Sequence, residues 1–284
     1  MAHAQIAIFA RLAKGSEKPN RLIYGQPTKL SRTMHGIRYN PNRDEFYVGN
    51  PFGQALLTFR GGANGQEAPI RIIQGPKTEL ENPDTVEVDP LHDELITPEP
   101  TRVLFYAATA TGDVAPIREF HSPAKNGWKT AGGIAVDPIH NVVALAGTVM
   151  GDAKKGYSSP YGDNREALLI FDRTASGEVQ PLRVIRGPHT GMHAVRQMEM
   201  QSKNGWIVIT QMTSGEIPEP EGTYVGVWSI NDSGDLPPRW KIEGKPSHIM
   251  KKPHGIALDP NHKEVVIADM RLNALLTFYF PEIF

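Results

Sequence analysis

The chain of 284 residues carries 30 Lys and Arg against 31 Asp and Glu, and a net charge of −1 excludes the basic surface that nucleic-acid binding needs. It has no cysteine, which excludes disulfides, thiolate metal ligands and a cysteine nucleophile. No apolar run reaches the ~18 residues of a membrane span, and the many glycines and prolines suit short strands joined by turns.

The first residues, MAHAQIAIFARLAKG, hold few apolar side chains before Arg11 and read as no signal peptide. A chain that had lost its leader would look the same. The protein is expected to be soluble, with a secreted or periplasmic origin left open.

From there the chain repeats itself. It opens on IAIFARLAKGSEKPNRLIYG, the second half of a unit whose first full copy runs from His35 to Gly75. Further copies start near Thr85, Gly133 and Gln197, and a last one, HGIALDPNHKEVVIADMRLNALLTFYF, stops at its third strand. Each copy predicts four strands: A like GIALD, B like EVVIA, C like ALLTF and D like PIRII. Pro41, Pro90, Pro138 and Pro260 follow an Asp or Asn in the A–B turn, where the proline presets φ and the preceding side chain bonds back to turn amides. Gly15, Gly65, Gly112, Gly177 and Gly234 supply the positive φ of the C–D turn.

Strands of this kind bury their faces by stacking radially, which predicts an all-β, single-domain β-propeller of antiparallel blades. The blades fall at 35–83, 84–131, 132–194, 195–253, and 254–284 together with 1–34. The terminal strands are expected to meet in that last blade and close the ring. Six C-like strands, counting Ile6–Phe9 and Leu275–Phe278, leave a six-bladed ring open beside the five-bladed one.

The pattern HGIALDP, VVIAD, ALLTF and P-x-R-x-I-x-G is similar to the NHL-repeat propeller family over nearly the whole chain. That resemblance implies the blade architecture. It leaves function open, because the family includes binding modules, lactonase-like and lyase-like enzymes and scaffolds.

Symmetry separates structure from function. Arg21, Arg71, Arg118, Arg183 and Arg239 recur two residues after a proline at the start of strand D, and are expected to hydrogen-bond from blade to blade. The start of strand A varies instead: His35, Asp84, Gly132, Arg196 and His254, at the mouth of the central channel. Three residues later come Arg38, Glu87, Ala135, Glu199 and Ala257. His35, His254 and Asp84 on adjacent blades suit one divalent ion, zinc, manganese or calcium. They also suit ordinary repeat residues and a turn-capping aspartate. Arg196 could hold an anionic ligand, and a gap in that blade would put His193 in its place.

Two long B–C links, Thr148–Glu166 and Met212–Thr223, place any ligand on the upper face beside these residues. Trp128, Tyr157 and Tyr161 could line an apolar pocket there or anchor their loops. Met34, Met150, Met192, Met212, Met250 and Met270, with His121, His189, His193 and His248, suit copper(I) or simple packing. His92, His140 and His262 repeat in the A–B turns and are read as structural.

Two functions follow. One is a binding module for a protein, peptide, glycan or small molecule on the upper face. The other is a metal-dependent lyase or lactonase-type hydrolase, with Arg38 or Arg196 fixing substrate and Glu87 or Glu199 moving a proton. A buried Arg38–Glu87 or Arg38–Glu199 pair would count against the second.

Overall fold

The computed structural model describes residues 4–32, 34–150, 158–159, 162–163, 166–212 and 219–284. The chain packs as two compact units, Met1–Glu99 with Phe105–Ile117, and Pro100–Leu104 with Arg118–Phe284. The architecture is the all-β propeller with five antiparallel blades, and among the described residues no helix is long and apolar enough to cross a membrane.

In the first unit β1 (Gln5–Ile8) pairs with β2 (Arg21–Tyr24), and β3 (Ile37–Asn40), β4 (Glu45–Asn50), β5 (Ala55–Arg60) and β6 (Arg71–Gln74) form a complete blade in that order. β7 (Glu87–Asp89) pairs with β8 (Glu94–Glu99), and β9 (Arg102–Ala107) runs across the boundary between the units. Phe46, Val48, Leu57 and Phe59 form the core of the first blade, with Ile6, Ile8 and Ile23 of the N-terminal pair packed on it.

The second unit continues with β10 (Arg118–His121), β11 (Trp128–Asp137) and β12 (Val142–Val149). A short pair follows, β13 (Ser158–Ser159) with β14 (Gly162–Asp163), and then β15 (Glu166–Asp172), β16 (Gly177–Glu178) and β17 (Arg183–Ile185). β11, β12, β15 and β17 make one blade. β18 (Val195–Gln201), β19 (Trp206–Gln211), β20 (Tyr224–Ser229) and β21 (Trp240–Glu243) make the next. β22 (Pro253–Asp259), β23 (Glu264–Asp269) and β24 (Ala274–Tyr279) end the chain as a three-stranded sheet. The extra C-type strand thus resolves into two ladders, β24 on β23 and β1 on β2. Five A strands head five blades.

The turn glycines do more than bend the chain. Gly65, Gly112, Gly177 and Gly234 have φ between +66° and +87°. Each also pairs in parallel with strand D of the preceding blade, opposite Ile23, Ile73, Phe120 and Ile185. Two backbone hydrogen bonds close each such seam where both are seen, as with Gly112 N to Ile72 O at 2.6 Å and Gln74 N to Gly112 O at 3.1 Å. A backbone ladder therefore stitches adjacent blades at the rim, independent of side chain.

The repeated arginines divide into two groups. Arg21 Nη1 donates to the carbonyls of Gly61 and Ala63, and Arg118 Nη1 to those of Arg173 and Ala175, each in the next blade, as expected. Arg71 and Arg239 depart from the expectation and pair inside their own blades, with Glu45 and Asp232. A local carboxylate offers a charge-assisted bond that outcompetes neutral carbonyls.

The A–B turns follow the sequence closely. Asp89 Oδ1 accepts from the amides of Leu91 and His92 at 3.0 and 2.9 Å, while its Oδ2 meets His92 Nδ1 at 2.8 Å. Asp137–His140 and Asp259–His262 repeat the motif. Each histidine is an element of its turn.

Candidate functional site

The starts of the A strands are irregular, and the irregularity presents the side chains. In β18 the ladder with β19 skips Arg196, its register shifting between Val195 and Gln197. In β22 it skips His254, shifting between Pro253 and Gly255. A bulge leaves its extra residue outside the ladder and re-aims its side chain. Arg196 and His254 therefore occupy equivalent positions. His193 lies before β18, its amide donating to Gln211 Oε1 at 2.8 Å, so the ungapped register holds. Gly132, at φ +95°, sits in the corresponding irregular stretch of β11.

The residues of this layer meet in neighbouring pairs. In the first unit His35 Nδ1 lies 2.6 Å from Asp84 Oδ1, with each side chain about one third exposed. A carboxylate acceptor fixes the ring proton on Nδ1 and orients the imidazole, as carboxylates do behind metal-binding or catalytic histidines. In the second unit Arg196 Nη2 donates to His254 Nε2 across 3.1 Å. The guanidinium occupies the lone pair that a metal would need on that nitrogen and sets its own positive charge beside it. Among the described residues no carboxylate forms an ion pair with Arg196, and its Nε is buried without a hydrogen-bond partner.

The inner layer is internally satisfied in part. Arg38 Nε donates to both oxygens of Glu87 at 3.0 Å, with the side chains 12% and 7% exposed. Burial pushes the Glu87 carboxyl up, and the Arg38 charge opposes that rise. Glu199 is half-buried in β18.

His193 is held by Gln211, whose Nε2 also donates to Gly191 O at 2.7 Å, and burial lowers the pKa of its imidazole. Trp128 is fully buried, packed against Phe120 and Phe171, with Nε1 donating to Val179 O at 2.9 Å. These contacts anchor the start of β11. Tyr157 and Tyr161 lie outside the described residues. Met192 and Met250 are each fully buried in a hydrophobic cluster of the second unit, where they pack apolar side chains. Among the described residues the one cluster of three metal-capable side chains is Asp259, His262 and Glu264, in an A–B turn away from the A-strand starts.

Two features escaped the sequence reading. The last residue of strand B clamps the loop before strand A: Glu99 accepts from the amides of Glu81 and Asn82, and Asp269 from those of Lys251 and Lys252. Asn50 and Gln211 hold their loops with the opposite polarity, Asn50 Nδ2 donating to Lys29 O and Gln211 Nε2 to Gly191 O. The second feature is Glu166, which opens β15. It is buried, its Oε2 accepts from Val195 N at 2.8 Å, and burial pushes its carboxyl up to about 7 against the opposing pull of that amide and of Arg196. The equivalent positions are Gln54, Thr223 and Asn273, so an acid here breaks the repeat. The same test of symmetry, applied to strand C, finds it.

No protein-family model and no curated protein matches the chain. Among solved structures it is similar to Kuenenia stuttgartiensis hydrazine synthase, at 13% identity and a TM-score of 0.52, over 90% of this chain and 69% of that one. At this identity the likeness concerns fold. The class of protein defined here is the β-propeller.

Proposed function

We propose that this chain is an NHL-like propeller acting as a binding module for a ligand that carries an anionic group, received at Arg196. One observation carries the reading. Arg196 is half-buried, hydrogen-bonded by a neighbouring imidazole, and has no carboxylate in ion pair among the described residues. A half-buried cation without a full counter-charge is partly desolvated at a cost, and an incoming oxyanion or carboxylate relieves that cost. The inner layer supports a module over an enzyme, since Arg38 and Glu87 satisfy each other.

The test is calorimetric titration of the full chain with sulfate and with small carboxylates, beside Arg196→Gln. Binding that weakens at least tenfold in the variant supports the reading, by the usual value of a charge-assisted bidentate contact (about 1.5–3 kcal/mol). Equal affinity in the two proteins sinks it.

The metal-dependent reading keeps one supporting observation, the oriented His35–Asp84 pair. Elemental analysis of wild type beside a His35→Ala, Asp84→Ala double variant tests it. Stoichiometric metal lost in the folded variant favours the lyase or hydrolase reading, and metal-free wild type after incubation with zinc, manganese and calcium removes it.

A further inference from the structure

Glu166 and Arg196 come from successive blades of the second unit, and the start of β18 sets Arg196 within electrostatic reach of Glu166. The carboxylate of Glu166 is fastened to the amide of Val195, the residue before Arg196. Among the described residues, few other charged or titratable groups face it. From β18 it faces the Arg196 guanidinium. From β20 it faces Tyr224, whose hydroxyl donates to Thr190 O at 3.0 Å and is pushed up in pKa by burial and by Glu166 itself. Its ladder partner on β12 is Thr148, which carries no charge. Beyond Arg196 stands His254, and before β18 stands His193 on Gln211.

We propose that this site binds its anion together with a proton, so that an oxyanion or carboxylate held at Arg196 draws a proton from solvent onto Glu166. The proposal rests on the anion-binding reading above. Before an anion binds, Arg196 supplies a positive charge that favours ionised Glu166. An anion at the guanidinium neutralises that charge and adds a negative one nearby. The buried carboxylate then loses its counter-charge, and protonation of its second oxygen relieves the repulsion while Oε2 keeps the Val195 amide. One proton is gained per anion and no other bond changes. The resting carboxyl sits at about 7, so the exchange falls across neutral pH. By linkage, affinity for the anion must rise as pH falls through that region.

Sulfate is the probe, because it does not itself titrate between pH 6 and 8. In the limit where only protonated Glu166 admits the anion, wild-type affinity is about tenfold weaker at pH 8 than at pH 6, following the fraction of competent protein. Glu166→Gln, which keeps the shape and an acceptor for Val195, should bind sulfate with no such slope. A flat wild-type profile, with binding still lost in Arg196→Gln, overturns the proton coupling and leaves the anion site standing. A slope that persists in Glu166→Gln assigns it to His254 or His193 and also overturns the coupling. Folded wild type that binds no sulfate at either pH overturns both.

Discussion

Arg38 and Glu87 hold each other across adjacent blades at the inner end of their A strands, one guanidinium nitrogen bridging both carboxylate oxygens at 3.0 Å. A pair this buried offsets its own desolvation, but either partner alone does not. Arg38→Met should cost about 3–5 kcal/mol by stranding the Glu87 charge. Adding Glu87→Leu should recover most of that loss. Urea denaturation of the two single variants and the double one measures the coupling, and additive losses would show that the pair is not a unit.

Two glycines should fail for different reasons. Gly112 has φ +81° and open space around its missing side chain, so Gly112→Ala should cost about 1–2 kcal/mol from backbone strain, and Gly112→Asn less. Gly36 sits against the next blade, where a Cβ would lie 2.7 Å from Thr85 Cα. There alanine and asparagine should both destabilise, by about 1–3 kcal/mol or more, because the clash is with backbone. Thermal midpoints of the four variants separate the cases, and an asparagine that rescued Gly36 would refute the packing explanation.

The propeller was legible because its signals are local. Asp-Pro turns, the Pro-x-Arg start of strand D and the turn glycines each act within a few residues, and Asp89, Asp137 and Gly112 behave as their motifs require. The site was legible in part. Variation along the A-strand starts picked out His35, Asp84, Arg196 and His254, yet pairing could not be read from it. That pairing sets Arg196, a cation, against His254, which the sequence had placed with a metal. Arg71 and Arg239 were misassigned because a repeat shows which positions are equivalent and not which neighbour wins. Glu166 was passed over because its role depends on the amide of Val195, distant in sequence.

The loop clamps make a separate prediction. Asp269 accepts from the amides of Lys251 and Lys252 through one oxygen and from those of Arg271 and Leu272 through the other. Asp269→Ala should cost about 1–3 kcal/mol by leaving these donors without an acceptor. Hydrogen exchange should accelerate at those four amides while the amides of β18–β20 stay protected. Unchanged exchange at Lys251 and Lys252 would show that the loop holds its shape without the carboxylate.

Glu166 should impose a pH dependence on stability without any ligand. Burial lifts its folded pKa from the ordinary 4.5 to about 7, so the folded chain binds this proton more tightly than the unfolded one. Its stabilising contribution is complete below 4.5 and is lost as pH rises through 7. The shift corresponds to about 3 kcal/mol, at ~1.4 kcal/mol per pKa unit. Glutamine removes this proton linkage, so Glu166→Gln should gain on wild type by that amount between pH 4.5 and pH 8.5. Other groups titrate in the same range, among them His193, whose pKa burial lowers. They contribute equally to the two proteins and cancel in the difference. Urea midpoints of wild type and variant at the two pH values give the answer. A difference that stays constant with pH would mean that Glu166 is ionised in the folded chain at neutral pH, its carboxylate already balanced by Arg196.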